Sequence, residues 1–404
     1  MLKKVIFSAV TAVFALLFVA CNKKEEAQAV SVSITIDESS LGDGPKPDSY
    51  KVKCVNVASA YVFEAATEGN KAVLKDVITG IYNITVSGAY LKGGFSYNYI
   101  GTLENVEING AGLSFSVAVK ATKASSLIFK SIYYTGSKLP KSGNYFRDQF
   151  YEIYNNGEET VYADGLCIGN ALSASKFQFP DGKVPTGKAA DYIFFQAPVW
   201  QLPGDGDDYP IAPGESFIIA QYATNHTAED KNPNSIDLST SEFEAYIDDF
   251  KNQQTDCNAI NMKLVCHAKG GKLKQWLTPV FGSAMVLFYP SVPIKDTDYI
   301  ESSNAANNTA REVLKSDILD AVDCVKNDTE DKRLDVALDA GKIWCEGTYS
   351  KQSIVRKEAS KKEDGRIIYQ DTNNSSEDFL VSKNPEIRSN GAKRPSWSTW
   401  TTAQ

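Results

Sequence analysis

Three aspartates stand close together in a glycine-rich segment of the chain: Asp205, Asp207 and Asp208. Closely spaced carboxylates are the ligands that calcium prefers in proteins. An EF-hand loop needs an oxygen ligand at its fifth position and glycine at its sixth, but here a tyrosine and a proline occupy those positions. The three aspartates are therefore candidates for a calcium site of another kind, and a solvated turn is the alternative interpretation.

A second segment nearly matches a phosphate-binding loop. Gly182, Gly187 and Lys188 have the required spacing, but Ala189 stands where a serine or threonine must reach magnesium. Since no helical pattern follows, the segment indicates an ordinary loop. We expect no nucleotide and no other cofactor.

The sequence gives little support for catalysis. His226 and His267 are the two histidines of the chain, and it contains no Gly-x-Ser-x-Gly motif. Any carboxylate pair chosen for glycoside hydrolysis from fifty acidic residues would be uninformative. We therefore predict that the protein is not an enzyme, and a hydrolase acting on an extracellular polymer is the alternative hypothesis.

The N-terminal segment has the features of an export signal. Lys3 and Lys4 precede an uncharged apolar run over residues 5–20, which is too short to favour a membrane span. The segment Leu17–Cys21 resembles the lipobox of bacterial lipoproteins, although Phe18 replaces the usual leucine. The resemblance implies that residues 1–20 are a cleaved signal peptide and that Cys21 is acylated. The alternative is a signal peptide followed by an incidental cysteine.

Residues 21–29 are predicted to be a lipidated tether. Its Lys24, Glu25 and Glu26 resemble the signal that some Gram-negative bacteria use to move lipoproteins to the cell surface, while an ordinary charged linker is the alternative. The expected location is therefore the outer membrane, facing outward. The expected partners are the membrane itself and an extracellular ligand or an outer-membrane transporter.

Composition indicates the fold class and excludes one class of partner. The formal net charge is −8, and loss of the leader with Lys3 and Lys4 would make the chain more acidic, which argues against nucleic-acid binding. Twenty tyrosines and nineteen phenylalanines against three methionines favour strands. We predict an all-β protein with two β-sandwich domains.

The first predicted domain spans residues 30–122. Val32, Ile34 and Ile36 alternate with polar residues, as in a half-buried strand. The segment Gly80–Val86, with Tyr82, Ile84 and Val86 on one face, resembles the transthyretin-like or carboxypeptidase-regulatory-like β-sandwich. The resemblance implies a small sandwich of about seven strands.

The second predicted domain spans residues 123–390 and precedes a C-terminal tail over residues 391–404. Several of its segments, in order, resemble lamin-tail domains, which are immunoglobulin-like β-sandwiches, within a family of uncharacterised surface lipoproteins. These segments are Gln149–Ile168, Ile211–Ala220, Ser283–Tyr289, Ile318–Val322, Ser353–Arg356 and Asp371–Phe379. A lamin-tail core is shorter, so the resemblance implies long insertions, where binding residues commonly lie.

One insertion is predicted to contain a helix over residues 241–250. Ser241 and Glu244 have capping-box spacing, and Phe243, Ile247 and Phe250 then share a helical face. We interpret this face as core packing.

Six cysteines follow Cys21, and they allow fifteen pairings. In an oxidising compartment the local pairs Cys257–Cys266 and Cys324–Cys345 are favoured. Cys54 and Cys167 are expected to be small buried residues within strands. A metal site at Cys257, Cys266 and His267 lacks a second ligand pair and is not favoured.

The sequence therefore predicts a non-enzymatic, lipid-anchored surface protein that binds a ligand or another protein. It could serve an outer-membrane nutrient transporter. The alternatives are the polymer hydrolase and a structural or adhesive protein of the envelope.

Overall fold

The computed structural model describes residues 29–42, 46–92, 95–123, 126–179, 182–183, 188–267, 273–295, 300–301 and 309–398. The predicted signal peptide, Cys21 and the predicted export signal at Lys24, Glu25 and Glu26 lie outside these residues. Within the described part of the chain, no helix is long and apolar enough to span a membrane.

The chain divides into two compact units. The first contains the described residues up to Gly88 together with Ile100–Lys120, and the second contains Ala89–Tyr99 and the residues from Ala121 onward.

Eight strands begin the fold, and they form a three-stranded sheet, β4-β1-β7, and a five-stranded sheet, β3-β2-β5-β6-β8. The strand β1 pairs antiparallel with β4 and parallel with β7. The bounds are β1 Ala29–Asp37, β2 Lys51–Asn56, β3 Val62–Ala66, β4 Lys71–Ile78, β5 Gly80–Lys92, β6 Phe95–Ile108, β7 Ser114–Ala118 and β8 Lys120–Lys123.

Period-two alternation determines the core of the first unit. Val32, Ile34 and Ile36 of β1 are buried, while the residues between them are at least partly exposed. Tyr82 and Ile84 of β5 are fully buried, as the predicted strand face requires. Each sheet has one apolar face, and packing the two sheets face to face removes both of these faces from water.

The second unit contains the remaining strands and two one-turn helices. Its strands are β9 Leu127–Tyr133, β10 Ser137–Lys138, β11 Asn144–Tyr145, β12 Phe150–Asn155, β13 Val161–Tyr162, β14 Cys167–Leu172, β15 Tyr192–Gln201, β16 Pro210–Ile211, β17 Ser216–Ala220, β18 Phe243–Glu244, β19 Ile260–Asn261, β20 Lys263–Cys266, β21 Ala284–Phe288, β22 Ile300–Glu301, β23 Thr309–Leu314, β24 Ile318–Asp323, β25 Ser353–Arg356, β26 Glu358–Lys361, β27 Ile367–Tyr369 and β28 Phe379–Ser382. The helices are α1, Lys188–Asp191, and α2, Ser375–Asp378.

Two seven-stranded sheets dominate the second unit. One has the order β19-β18-β17-β12-β9-β25-β28, and the other has the order β22-β23-β15-β14-β21-β24, with β20 also paired to β15. The largest apolar cluster draws Phe129 and Tyr151 from the first sheet and Trp200 and Leu287 from the second. Both sheets therefore bury one face against each other, and the prediction of an all-β protein built of β-sandwiches is confirmed.

The predicted helix over residues 241–250 is wrong. Phe243 and Glu244 form the short parallel strand β18 beside β17, and a single 3-10 turn covers Asp248–Phe250. The buried Glu244 carboxylate accepts the backbone N–H groups of Ala223 and Cys257 rather than capping a helix. Sheet pairing and these long-range hydrogen bonds therefore override the local helical pattern.

The predicted disulfides are also wrong in this structure, because none of the six described cysteines forms a disulfide. Cys266 packs in a different apolar cluster from Cys257, so that pair is not assembled. Cys324 and Cys345 share the main core cluster as buried thiols. Cys54 and Cys167 lie fully buried in β2 and β14, and this part of the prediction is confirmed.

Candidate ligand-binding cavity

A cavity lies against one edge of the second large sheet. The strand β23 pairs with β15 along one side, but on its other side the described residues of β22 cover only Thr309 and Ala310. Beside the rest of that edge is a cavity of about 450 Å³, which we call the β23 cavity. It is lined by Tyr192, Ser291, Val292, Pro293, Ile294, Lys295, Ile300, Arg311, Glu312, Val313, Leu314 and Asp317.

Two bases line the β23 cavity, one from the strand and one from a loop. Arg311 lies on β23 and is 3% exposed, and its Nε donates to the backbone carbonyl of Lys295 at 3.3 Å. Lys295 belongs to the loop after β21, and its side chain is exposed to solvent. The hydrogen bond joins the backbone of the loop to the Arg311 side chain on the strand.

Two acids complete the set of charges. Glu312 receives the Lys188 ammonium at 2.6 Å, and that ammonium also lies 4.1 Å from the centre of the Tyr192 ring. Asp317 accepts the backbone N–H of Ser291 at 2.9 Å and its hydroxyl at 2.8 Å. An ionised carboxylate has about four lone-pair sites, so both acids keep capacity for a ligand.

This arrangement suits binding. Apolar side chains form most of the wall, and polar groups of both signs line the rest of it, as is typical of pockets that hold small ligands. The lining residues include no histidine and no cysteine. A ligand with an apolar body and both a negative and a positive group would match these walls.

A second concave region surrounds the ring of Phe281. Two neighbouring cavities, of about 340 and 300 Å³, share Phe281, Lys326 and Asn327 as lining residues. Phe281 is 47% exposed. The rest of the wall mixes apolar residues such as Val280 and Val325 with polar ones, and each of these cavities is smaller than the β23 cavity.

The three aspartates proposed for calcium do not form a ligand cluster. Within the described residues, no group of three or more His, Cys, Asp or Glu side chains is arranged to hold a metal ion. The segment is instead organised by Asp164, whose carboxylate accepts the backbone N–H groups of Gly206, Asp208 and Tyr209. The Asp205 N–H donates to the carboxylate of Asp208. Asp205, Asp207 and Asp208 therefore belong to a solvated turn.

His226 is unsuited to act as a general base in solution. It is fully buried; its Nε2 donates to the Tyr222 carbonyl at 2.8 Å, and its Nδ1 accepts from the Tyr145 hydroxyl at 2.7 Å. Burial lowers the pKa of His226 to about 4, so the ring is neutral at physiological pH. Its role in this structure is to satisfy two buried polar groups.

Sequence reasoning missed the residues that build the β23 cavity. Lys188 was considered only as the lysine of a failed phosphate-binding loop, yet it begins α1 and pairs with Glu312. The one available signal was Arg311, a charged residue inside an otherwise strand-like segment, Thr309–Leu314. A charge at a buried strand position requires partners and therefore marks a candidate site.

Comparison with known proteins identifies a family and a solved structure that are similar to this chain. The model of the family DUF4876, described as a protein of unknown function, matches residues 212–386. The crystal structure of a DUF4876 family protein from Bacteroides thetaiotaomicron VPI-5482 is 36% identical, with 91% of this chain and 99% of that chain covered and a TM-score of 0.62. No curated protein matches.

A second solved structure, of a protein from Bacteroides ovatus ATCC 8483 provisionally named an adhesin, is 9% identical. The match covers 80% of this chain and 94% of that one, with a TM-score of 0.21. A TM-score this low supports no inference about the present chain.

Proposed function

Because this chain belongs to the DUF4876 family, whose function is unknown, we propose its function from its own structure. We propose that it is a non-enzymatic binding protein, held at the outer membrane by acyl chains on Cys21 and facing outward. Its ligand occupies the β23 cavity. The family match indicates no catalytic activity and is compatible with this role.

The observation that carries the proposal is the charge pattern of the β23 cavity. Lys295 and Arg311 line the cavity together with Glu312 and Asp317, and the two carboxylates are held by Lys188 and Ser291 before any ligand arrives. Such preorganisation reduces the entropy that a ligand must lose on binding. The best-matched ligand is a short peptide with free termini and apolar side chains. Its carboxylate would meet the bases and its ammonium the acids.

The anchoring part of the proposal rests on the leader and on Cys21. Each methylene of an acyl chain contributes about 0.8 kcal/mol when it is buried in lipid, so two or three chains hold a protein at the membrane durably. The surface-facing part rests on Lys24, Glu25 and Glu26. Delivery of a captured peptide to an outer-membrane transporter is the setting that fits both parts.

The domain identities belong to the same proposal. A transthyretin-like sandwich over residues 30–122 is supported by the three- and five-stranded sheets of the first unit. A lamin-tail-like sandwich over residues 123–390 is supported by the two seven-stranded sheets of the second.

The cavity is tested by titrating the protein with dipeptides such as Leu-Leu in isothermal calorimetry. A Lys295→Glu variant reverses one exposed charge at the cavity, and we expect it to weaken binding at least 10-fold. Lys383→Glu, an equally exposed lysine beyond β28, is the matched control and should bind as the wild type does. An N-acetylated, C-amidated Leu-Leu lacks both charges and should bind more weakly. Equal binding to both variants, or preference for the capped peptide, would refute the assignment.

A further inference from the structure

Three loops meet at one end of the first unit. Asn56 pairs with Tyr82 between β2 and β5, and the Val57 N–H donates to the Ile81 carbonyl at 2.9 Å. The loop over residues 57–61 therefore lies beside the turn over residues 79–81.

The third loop, over residues 109–113, follows the end of β6. The Asn105 N–H donates to the Asn83 side chain, so β6 ends at the same end of the sheet as β5 begins. The Ser33 N–H donates to the Leu113 carbonyl at 3.0 Å, which places the end of the loop beside the middle of β1, and because β7 runs parallel to β1 the rest of the loop lies toward the start of β1. We call these three loops, together with Val62 at the start of β3, the apolar tip.

The apolar tip is exposed and has no charged residue. The loops read Val-Ala-Ser-Ala-Tyr, Thr-Gly-Ile and Asn-Gly-Ala-Gly-Leu. Val57 and Tyr61 are each 52% exposed, Ile81 is 50% exposed and Val62 is 47% exposed. Single exposed apolar residues are ordinary, but several gathered together mark a surface that meets a partner.

The opposite end of the same unit carries several charged residues. Its segments include Glu38, Lys46 and Asp48 after β1, Glu68 in the turn before β4, and Lys120 after β7. Glu38 and Lys46 form an ion pair at 2.8 Å. Charged residues therefore gather at the end away from the apolar tip, whereas near the tip they lie on the flanking strands, as the exposed Asp76 of β4 and Glu107 of β6 do, and not in the three loops.

The chain enters the first unit at the apolar tip. Ala29 pairs with Ile78, which is only three residues before Ile81. Residues 22–28 separate Ala29 from Cys21, and seven residues reach at most about 25 Å. An acyl anchor on Cys21 would therefore keep this end of the unit close to the membrane.

We infer that the apolar tip rests on the bilayer that holds the anchor. This inference rests on the proposed acylation of Cys21. Valine and isoleucine side chains enter the boundary between headgroups and acyl chains, and Tyr61 lies at the level where tyrosines are enriched in membrane proteins. Because the anchor raises the local concentration of lipid, a small apolar surface is sufficient to orient the unit.

The experiment uses the acylated full-length protein in phosphatidylethanolamine–phosphatidylglycerol vesicles. A bimane probe is attached to Ala60→Cys in the apolar tip or, as the matched control, to Asn70→Cys in an exposed turn at the opposite end. Both chains also contain Cys257→Ser, because Cys257 is the described cysteine that is not buried. Nitroxide-labelled lipid quenches only probes that contact the bilayer.

We expect quenching at position 60 to exceed quenching at position 70 severalfold, and adding Ile81→Asp to reduce it. Equally low quenching at both positions, in protein that floats with the vesicles, would refute docking while leaving the anchor intact. It would indicate that the tip serves a protein partner instead. Failure of the protein to float with the vesicles would refute the anchor, and the docking inference with it.

Discussion

The two units bury different kinds of side chain. In the first unit, Thr67 is the one buried polar residue among those that the structure describes, and β1, β2 and β5 supply valines, isoleucines and Tyr82 to the core. In the second unit, Arg356 lies fully buried among Asp320, Asp371 and Asp378, at 2.5, 3.1 and 3.6 Å. Among the described residues, the first core buries no charged side chain, whereas the second core also requires buried charges to match.

The difference follows from the physics of burial. Apolar groups gain free energy in proportion to the area removed from water, whatever their neighbours. A buried charge costs several kcal/mol unless a partner and hydrogen bonds compensate it. Burial raises the pKa of Asp320 to about 6, although Arg356 opposes this shift, and burial raises the pKa of Asp378 as well. Burial therefore makes ionisation of both carboxylates costly, and the Arg356 guanidinium offsets part of that cost.

The largest effect should come from removing that guanidinium. Arg356→Met leaves three buried carboxylates without their cation, and loss of one partner from a buried ion pair costs about 3–5 kcal/mol. All five tryptophans lie beyond residue 199, so urea unfolding followed by tryptophan fluorescence reports on the second unit. Lys362→Met, which breaks an exposed pair with Glu158, is the control and should cost less than about 1 kcal/mol. Equal losses in the two variants would contradict the argument.

A pH-dependent effect should come from His226. Its pKa is about 4 in the folded chain against an ordinary 6.5, so between these values the unfolded chain binds a proton that the folded chain does not. The contribution of His226 to stability is therefore lost as the pH falls through this window, by about 1.4 kcal/mol per pH unit. Several buried acids have raised pKa values and act in the opposite direction, so the difference from a matched variant is what must be measured.

That variant is His226→Gln, unfolded in urea at pH 7.5, 5.5 and 4.5. At pH 7.5 the wild type should be the more stable, because glutamine does not reproduce both hydrogen bonds of the ring. The difference in the free energy of unfolding between wild type and variant should become smaller as the pH falls. A difference that stays constant over this range would show that His226 has the same pKa in the folded and the unfolded chain.

The contrast between apolar burial and the matching of buried charges also explains which features could be predicted from the sequence. Alternation reveals apolar faces, so the strand faces of Val32, Ile34 and Ile36 and of Tyr82 and Ile84 were predictable from residue spacing. The Ser241–Phe250 helix failed because Glu244 has partners far away in the chain, at Ala223 and Cys257. No local pattern contains that information.

The candidate site was less predictable than the fold for a related reason. Arg311, Glu312 and Lys188 come together only because β15 and β23 pair and α1 precedes β15. Lys188 lies 124 residues before Glu312 in the sequence, so no local motif could reveal their pairing. The acidic segment around Asp205, by contrast, looked like a ligand cluster because its residues are neighbours in sequence. In the structure its loop is organised by Asp164.

The smallest effect should come from an ion pair in the first unit. Glu64 lies 3.3 Å from the ammonium of Lys51 and 3.7 Å from that of Lys53, with all three side chains at least 30% exposed. The Lys130–Glu152 pair of the second unit has a similar distance, 3.0 Å, but is buried. Water screens the exposed pair, so Glu64→Gln should cost no more than about 0.5 kcal/mol.

Hydrogen exchange of the β2 and β3 amides measures this change, since the first unit contains no tryptophan. In 0.5 M salt even this loss should vanish. A loss above about 2 kcal/mol would mean that the first unit also depends on charge, and the contrast between the two cores would fail.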